Sequence, residues 1–297
     1  MPPFLFLVLF SCVFAASPPC REEFEETICE NFAFSPELIL ASATNKLTIR
    51  NAKGPIIHEN FSNLTQVTEI TFTRSEITNI ESGSLCCTPN LTSVTVTDNG
   101  KFPKITKKNL QGCQRVKRMS FDGAGIEIEK GAFKETKGLQ SLTINGTRMT
   151  RLEEGVLAGL EDLKSLTIQH SRIGRVEENA FKELRNLKVL DLQNNKIESV
   201  ARGAFRNLVQ LKVLNLSDNK LKSLTWEEFD GLKGLRVIFL ERNDFDSVNV
   251  DKLVAGVPDL ERIFLSYDKL SPQSRKRVEE VLPKFNITFI YIGKPLE

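Results

Sequence analysis

The chain has 297 residues, 40 of them basic and 38 acidic, with 40% apolar residues, which is the make-up of a soluble globular protein. That length allows one long domain or two ordinary ones. A net charge of +2 gives no ground for a nucleic-acid partner or an anionic membrane.

The N-terminus reads MPPFLFLVLFSCVFAASPPC. Its apolar stretch from Phe4 to Ala16 is too short to span a bilayer. It ends in the small residues Ala15, Ala16 and Ser17, so residues 1–16 are expected to be a cleaved secretory signal. The stretch lacks the usual leading Lys or Arg, and a lipid anchor through Cys12 is set aside as the lesser reading. No later run is long enough for a membrane helix, and the C-terminal apolar stretch is too short for a removed anchor tail. The expected address is therefore extracellular, without a membrane anchor. Six N-x-Ser/Thr sequons agree with it: Asn60, Asn63, Asn90, Asn145, Asn215 and Asn286.

Residues 17–43, with Cys20 and Cys29 close enough to close a short hairpin, are expected to form an N-terminal cap over the first repeat. From 44 to 270 the chain repeats the pattern L-x-x-L-x-L-x-x-N-x-L. Good matches start at Val67, Leu91, Val116, Leu139, Leu163, Leu187, Leu211, Leu235 and Leu260, and a degenerate one near Thr44. The spacings are 24, 25, 23, 24, 24, 24, 24 and 25 residues. A large apolar residue recurs late in each unit: Phe61, Leu85, Leu110, Phe133, Leu157, Phe181, Phe205, Phe229 and Leu253. Another lies three residues later at Leu64, Leu160, Leu184, Leu208 and Leu232.

The alternating L-x-L core predicts a short strand with two side chains turned inward. One unit cannot bury its apolar face alone, but stacked units share a continuous core. The bulkier return segments need more room than the strands, so the array is expected to bend with the strands inside. The asparagine position turns the chain after each strand. It holds Asn99, Asn195, Asn219 and Asn243, but Ser75, Ala124, Thr147, Ser171 and Asp268 elsewhere, which predicts less regular turns in the N-terminal half. Residues 271–297 are expected to close the array with an amphipathic helix, Val278, Val281 and Leu282 on one side. A last strand in NITFIYI would come after it, with Ile287 and Phe289 inward, and a glycan on Asn286 would guard its open edge.

These motifs resemble the leucine-rich repeat family, whose units fall in this period range. The resemblance implies an α/β solenoid, or horseshoe, of about ten repeats, with a parallel inner β-sheet and an irregular, 3-10 or helical outer side. The chain looks like the extracellular recognition proteins of that family, including arthropod soluble immune proteins, though it has no coiled-coil segment and lacks their common C-terminal cysteine cap. The resemblance implies partners among extracellular proteins or microbial-surface ligands.

Little in the sequence speaks for catalysis. The two histidines, His58 and His170, lie more than four repeats apart. His170 falls at a strand end and reads as a solvated residue before it reads as a ligand. No H-E-x-x-H, G-x-S-x-G or P-loop pattern occurs. Gly123 and Gly125 read as turn residues, and Glu153–Glu154 and Glu177–Glu178 as solvated outer positions. The basic group Arg115, Lys117 and Arg118, near Lys107 and Lys108, is weighed as a heparin-like or phosphate site and read as ordinary surface. The expectation is a protein that is not an enzyme and uses no metal or cofactor.

Without Cys12, five cysteines remain: Cys20, Cys29, Cys86, Cys87 and Cys113. Cys113 sits one unit beyond Cys86 and Cys87 at nearly the same station, so one of the two is expected to bridge to it. The other is left for a disulfide-linked dimer or mixed complex. A Cys86–Cys87 bridge, or two buried thiols, stays open as the alternative.

Three exposed columns line the expected inner face. The central one runs Thr71, Thr95, Ser120, Thr143, Thr167, Asp191, Asn215, Phe239, Phe264, hydroxylated first and apolar last. Beside it stand Val189, Val213 and Val237, with Tyr267 nearby and Glu241, Arg242 and Arg262 as a polar edge. Contiguous exposed apolar residues call for an explanation. Val189, Val213, Val237, Phe239, Phe264 and Tyr267 are therefore the expected ligand-binding residues, unless the C-terminal segment covers them. The expected function is secreted recognition through protein–protein or innate-immune-type ligand binding. A matrix or adhesion protein, and an inhibitor that wraps an enzyme, are the alternatives.

Overall fold

A computed structural model describes residues 20–292 apart from 36–39, 41, 43, 62, 100, 101, 124 and 224–226. The expected signal segment, Cys12 and the turn position at Ala124 lie outside the described residues. Strands β1 (Cys20–Glu23) and β2 (Glu26–Glu30) form an antiparallel hairpin with Cys20 opposite Cys29. β2 then pairs in parallel with β3 (Lys46–Arg50), and the direction never reverses again. The next inner strands are β4 (Glu69–Thr73), β5 (Ser93–Thr97), β6 (Arg118–Asp122), β7 (Ser141–Asn145) and β8 (Ser165–Gln169). After them come β9 (Val189–Asp191), β10 (Val213–Asn215), β11 (Val237–Phe239), β12 (Arg262–Ser266) and β13 (Thr288–Ile292). Together they make one 13-stranded sheet in sequence order, the mark of a solenoid whose units touch only their neighbours.

Period-2 patterning explains each strand. In β8, Leu166 and Ile168 are fully buried while Ser165, Thr167 and Gln169 stay partly exposed. The return segments supply the other wall of the core. All nine recurring Phe or Leu residues, from Phe61 to Leu253, are at most 2% exposed. Phe181, Phe205 and Phe229 stack along the axis with ring centroids 5.8 and 6.1 Å apart. The outer side carries short 3-10 turns such as His58–Phe61 and Ala132–Glu135, and the helix α1 (Val250–Gly256).

Buried asparagines hold the turns. The Nδ2 of Asn219 donates to the carbonyls of Leu192 at 2.9 Å, Leu216 at 3.1 Å and Ser217 at 3.0 Å. Its Oδ1 accepts from the Ile197 amide at 3.0 Å. Asn243 repeats the arrangement one unit on, reaching the Leu216 carbonyl at 2.9 Å. Where the sequence has serine, the shorter side chain makes fewer bonds: Ser171 Oγ donates to the Gln169 carbonyl and accepts from the Thr147 amide. The residue just before the asparagine adopts a left-handed conformation in unit after unit, at Arg74, Asp98, His170, Asn194, Asp218 and Arg242. Four of the six are Asp, Asn or His, the non-glycine types most common in that region, so the sequence announces the conformation at those positions and not at Arg74 and Arg242.

Helix α2 (Pro272–Val281) starts at Ser271, whose hydroxyl accepts from the Ser274 amide, and has proline in its first turn. Val278, Val281 and Leu282 are buried as a set. α2 packs beside α1, and Arg277 forks onto Asp251 at 2.6 and 3.0 Å. Ile287 is buried just before β13, and Phe289 pairs with Ile263 in the core column, half-buried at the open end.

Candidate binding surface

The central column of the inner face passes in register from Thr167 to Asp191, Asn215, Phe239 and Phe264. The sheet extends it one strand further than the repeat count did, because Ile290 of β13 pairs with Phe264. The signal for Ile290 was present: it alternates with Phe289 and Tyr291, so it had to face outward.

Phe239 and Phe264 are both half-buried, with ring centroids 4.3 Å apart and planes 21° apart. Each covers one face of the other and leaves the rest open on the inner surface. Helix α2 packs on α1 and on the 3-10 turn Leu282–Phe285. Val189 is 36% exposed and Val213 is half-buried. Val237 departs from expectation: it is only 8% exposed, set between Val213 and Arg262 in the register. Tyr267 also plays a different part. Its ring meets Tyr291 edge-on at 4.7 Å, and the Arg275 guanidinium lies 4.2 Å over its face. It ties the surface to the C-terminal segment rather than standing free. Burial pushes the Tyr291 phenol up to about 12, so it stays neutral under the ring.

The polar edge is reorganised too. Arg242 forks onto Asp218 at 2.5 and 2.7 Å, and this hydrogen-bonded pair holds the Asp218 carboxyl below its ordinary range. Gln193 donates to the same carboxylate at 3.0 Å. Glu241 turns in and is 8% exposed, with its carboxyl pushed up by burial. Arg262 is exposed and makes no ion pair among the described residues. Opposite ends of the inner face thus differ: threonine and serine over the first strands, an aromatic pair beside the exposed Arg262 over the last.

His58 and His170 are far apart, and His170 is exposed, its Nδ1 3.0 Å from the Asn194 amide nitrogen. Among the described residues no cluster of three or more His, Cys, Asp or Glu could hold a metal ion. The expected basic group is largely committed: Lys107 pairs with Glu135, Arg118 with Glu69, and Arg115 donates to the Pro89 carbonyl.

Among the described residues two disulfides are present, Cys20–Cys29 and Cys86–Cys113. Cys87 is the remaining thiol among the described residues; it is half-buried, donates to the Ser84 carbonyl at 3.1 Å, and is pushed up by burial. A protonated, shielded thiol is a poor nucleophile. These features oppose the intermolecular bridge expected from the odd count. Folded protein should therefore alkylate slowly at neutral pH and rapidly in denaturant, and run as a monomer on non-reducing gels. A reductant-sensitive dimer would instead place Cys87 at an interface. Among the sequons, Asn60 is fully buried and donates to the Ser35 carbonyl at 2.9 Å, so a glycan there is incompatible with this packing. Asn63, Asn90 and Asn286 are exposed, while Asn145 and Asn215 are half-buried on the inner face.

Two leucine-rich repeat models match the sequence: Leucine rich repeat over 161–212 and 185–245, and the BspA type Leucine rich repeat region (6 copies) over 30–160. The chain is a leucine-rich repeat protein. No curated protein matches it. Solved structures share the fold at low identity. A chain of the TLR13–ssRNA13 complex superposes with a TM-score of 0.67 at 19% identity, over 77% of this chain and 37% of that one. The protein thus spans little more than a third of that chain. A chain from the octameric complex of Latrophilin 3 (Lec, Olf), Unc5D (Ig, Ig2, TSP1) and FLRT2 (LRR) gives 0.66 at 17% identity, over 92% and 91%. Among the described residues no helix is long and apolar enough to cross a membrane.

Proposed function

We propose that this is a secreted recognition protein that binds an extracellular protein through the C-terminal half of its inner face. The observation that carries the reading is the half-exposed Phe239–Phe264 stack, continued by Ile290 and flanked by Val189, Val213 and Arg262. Aromatics at the centre with an arginine at the rim are the make-up of an interface hot spot. The two disulfides suit an oxidising compartment. Glycans at Asn63, Asn90 and Asn286 would leave this surface open, whereas one on Asn215 would restrict the approach to one side. An innate-immune role belongs to the same proposal.

Affinity capture from extracellular fluid supplies the partner; variants then locate the contact. Phe239→Ala and Phe264→Ala are each expected to weaken binding by on the order of 2 kcal/mol, roughly thirtyfold. Thr95→Ala and Thr143→Ala should leave it unchanged. The reverse pattern would move the site to the hydroxylated half.

A further inference from the structure

Outside the inner face, the turns after β7, β8 and β9 enclose an open depression of about 530 Å³. Its walls carry Arg151, Arg172, Arg175 and Lys196, against the carboxylates of Glu177 and Glu198. Backbone pairing sets these cations in rows. Arg151 lies directly opposite Arg175, and Lys196 donates its amide to the Ile173 carbonyl, next to Arg172. The row continues at both ends, with Arg148 one unit before and Lys220 one unit after, its amide on the Ile197 carbonyl. Four successive units thus present a cation at one station, about 4.8 Å apart along the stack.

Two features mark this stripe. Arg148 and Arg175 are matched by acidic residues, Glu127 at 3.5 Å and Glu177 at 3.4 Å, but Arg151, Arg172, Lys196 and Lys220 are exposed and make no ion pair among the described residues. In the basic group near Arg115, three of the five residues, Lys107, Arg115 and Arg118, already have partners within the fold. The second feature is the floor. Gly174 sits between Thr150 and Glu198, donating to the Thr150 carbonyl at 2.8 Å and accepting from the Glu198 amide at 2.9 Å. The absence of a side chain there opens the space the cations surround.

We infer that this stripe is a binding surface for a linear sulfated polysaccharide, with one sulfate or carboxylate seated over Gly174. Guanidinium groups fork onto such oxyanions, and a row of cations at repeat spacing suits a chain of regularly placed anions. No aromatic residue lines the depression, so it lacks the stacking platform that single-stranded nucleic acid uses. None of the exposed large apolar side chains lines it either, so nothing there would enter a lipid surface. The surface is separate from the Phe239–Phe264 face and stands whether or not that face binds a protein.

The test is the salt dependence of binding to heparin. The wild-type chain should be retained at about 0.15 M ionic strength and elute above it. Arg172→Glu with Lys196→Glu should elute earlier and lower the slope of log affinity against log salt by about one per cation. Gly174→Leu adds bulk without charge. Its φ lies outside the left-handed region, and only the Thr150 and Lys196 carbonyl oxygens lie within 4 Å of an added Cβ, both at 3.7 Å, so the fold should tolerate it. It should nevertheless weaken heparin binding. The control is Arg185→Glu with Lys233→Glu, the same charge change on exposed residues of the return segments, away from the depression and with Val209 at the station between them. It should behave as wild type. Flow-through of the wild type, an equal loss in the control pair, an unaffected Gly174→Leu, or tighter binding of single-stranded polyuridylate than of heparin would each overturn the inference.

Discussion

Phe205→Ala is expected to cost about 3–5 kcal/mol of folding stability, the usual range for truncating a buried phenylalanine. The side chain is fully buried and packs between Phe181 and Phe229, so the cavity opens toward two neighbouring units at once. A globular core can relax around a void from several sides. A solenoid unit is held only by the units before and after it, and the strands fix their spacing. The void therefore persists, and both interfaces of this middle unit weaken. Denaturant titration with far-ultraviolet circular dichroism measures the effect. Phe285→Ala, at a residue 56% exposed, is the reference and should change stability by less than about 0.5 kcal/mol. Equal losses at the two positions would mean that the return-segment aromatics do not carry the core.

Asn219→Ala should rank second, at about 2–4 kcal/mol, because it strands several buried backbone groups together. The carbonyls of Leu192, Leu216 and Ser217 lose a donor, and the Ile197 amide loses its acceptor. Water cannot replace the amide without opening the turn. Asn219→Ser is expected to recover part of the loss, since a serine at the equivalent station of another unit still bonds one carbonyl and one amide. The expected order of denaturation midpoints is wild type, then serine, then alanine. A serine variant no better than alanine would show that reach across two units, not any single bond, is what the asparagine supplies.

Much of the inner face was legible in the sequence because strand geometry is rigid. Two inward leucines per unit fix which residues point outward, and a constant period near 24 residues fixes which of them stack. Thr167, Asp191, Asn215, Phe239 and Phe264 fall on one column for that reason alone. The burial of individual members was not legible. Val189 and Val237 occupy equivalent positions with the same side chain, yet one is 36% exposed and the other 8%. The difference lies in their neighbours across the sheet, which a single strand does not encode. Glu241, Arg242 and Arg262 read alike as a charged edge, but Asp218 captures Arg242 from the preceding unit while Glu241 turns inward.

What the sequence determined by itself is the solenoid: its period, its ten repeat strands, the apolar wall of Phe and Leu, and an aromatic pair late on the inner face. Each of these is set by contacts within a unit or between identical stations of adjacent units, so repetition alone reveals them. What only the tertiary structure decided is everything that depends on unlike residues meeting. It chose Cys86 over Cys87 as the partner of Cys113, since vicinal side chains point apart and only one faces the next unit. It drew Tyr267 under Arg275 and toward Tyr291, residues from a segment outside the repeat. It also gathered Arg151, Arg172, Arg175 and Lys196 around Gly174. Those cations are scattered along the chain, and only the stacking of one turn on the next brings them to one place, where they outnumber the carboxylates of Glu177 and Glu198.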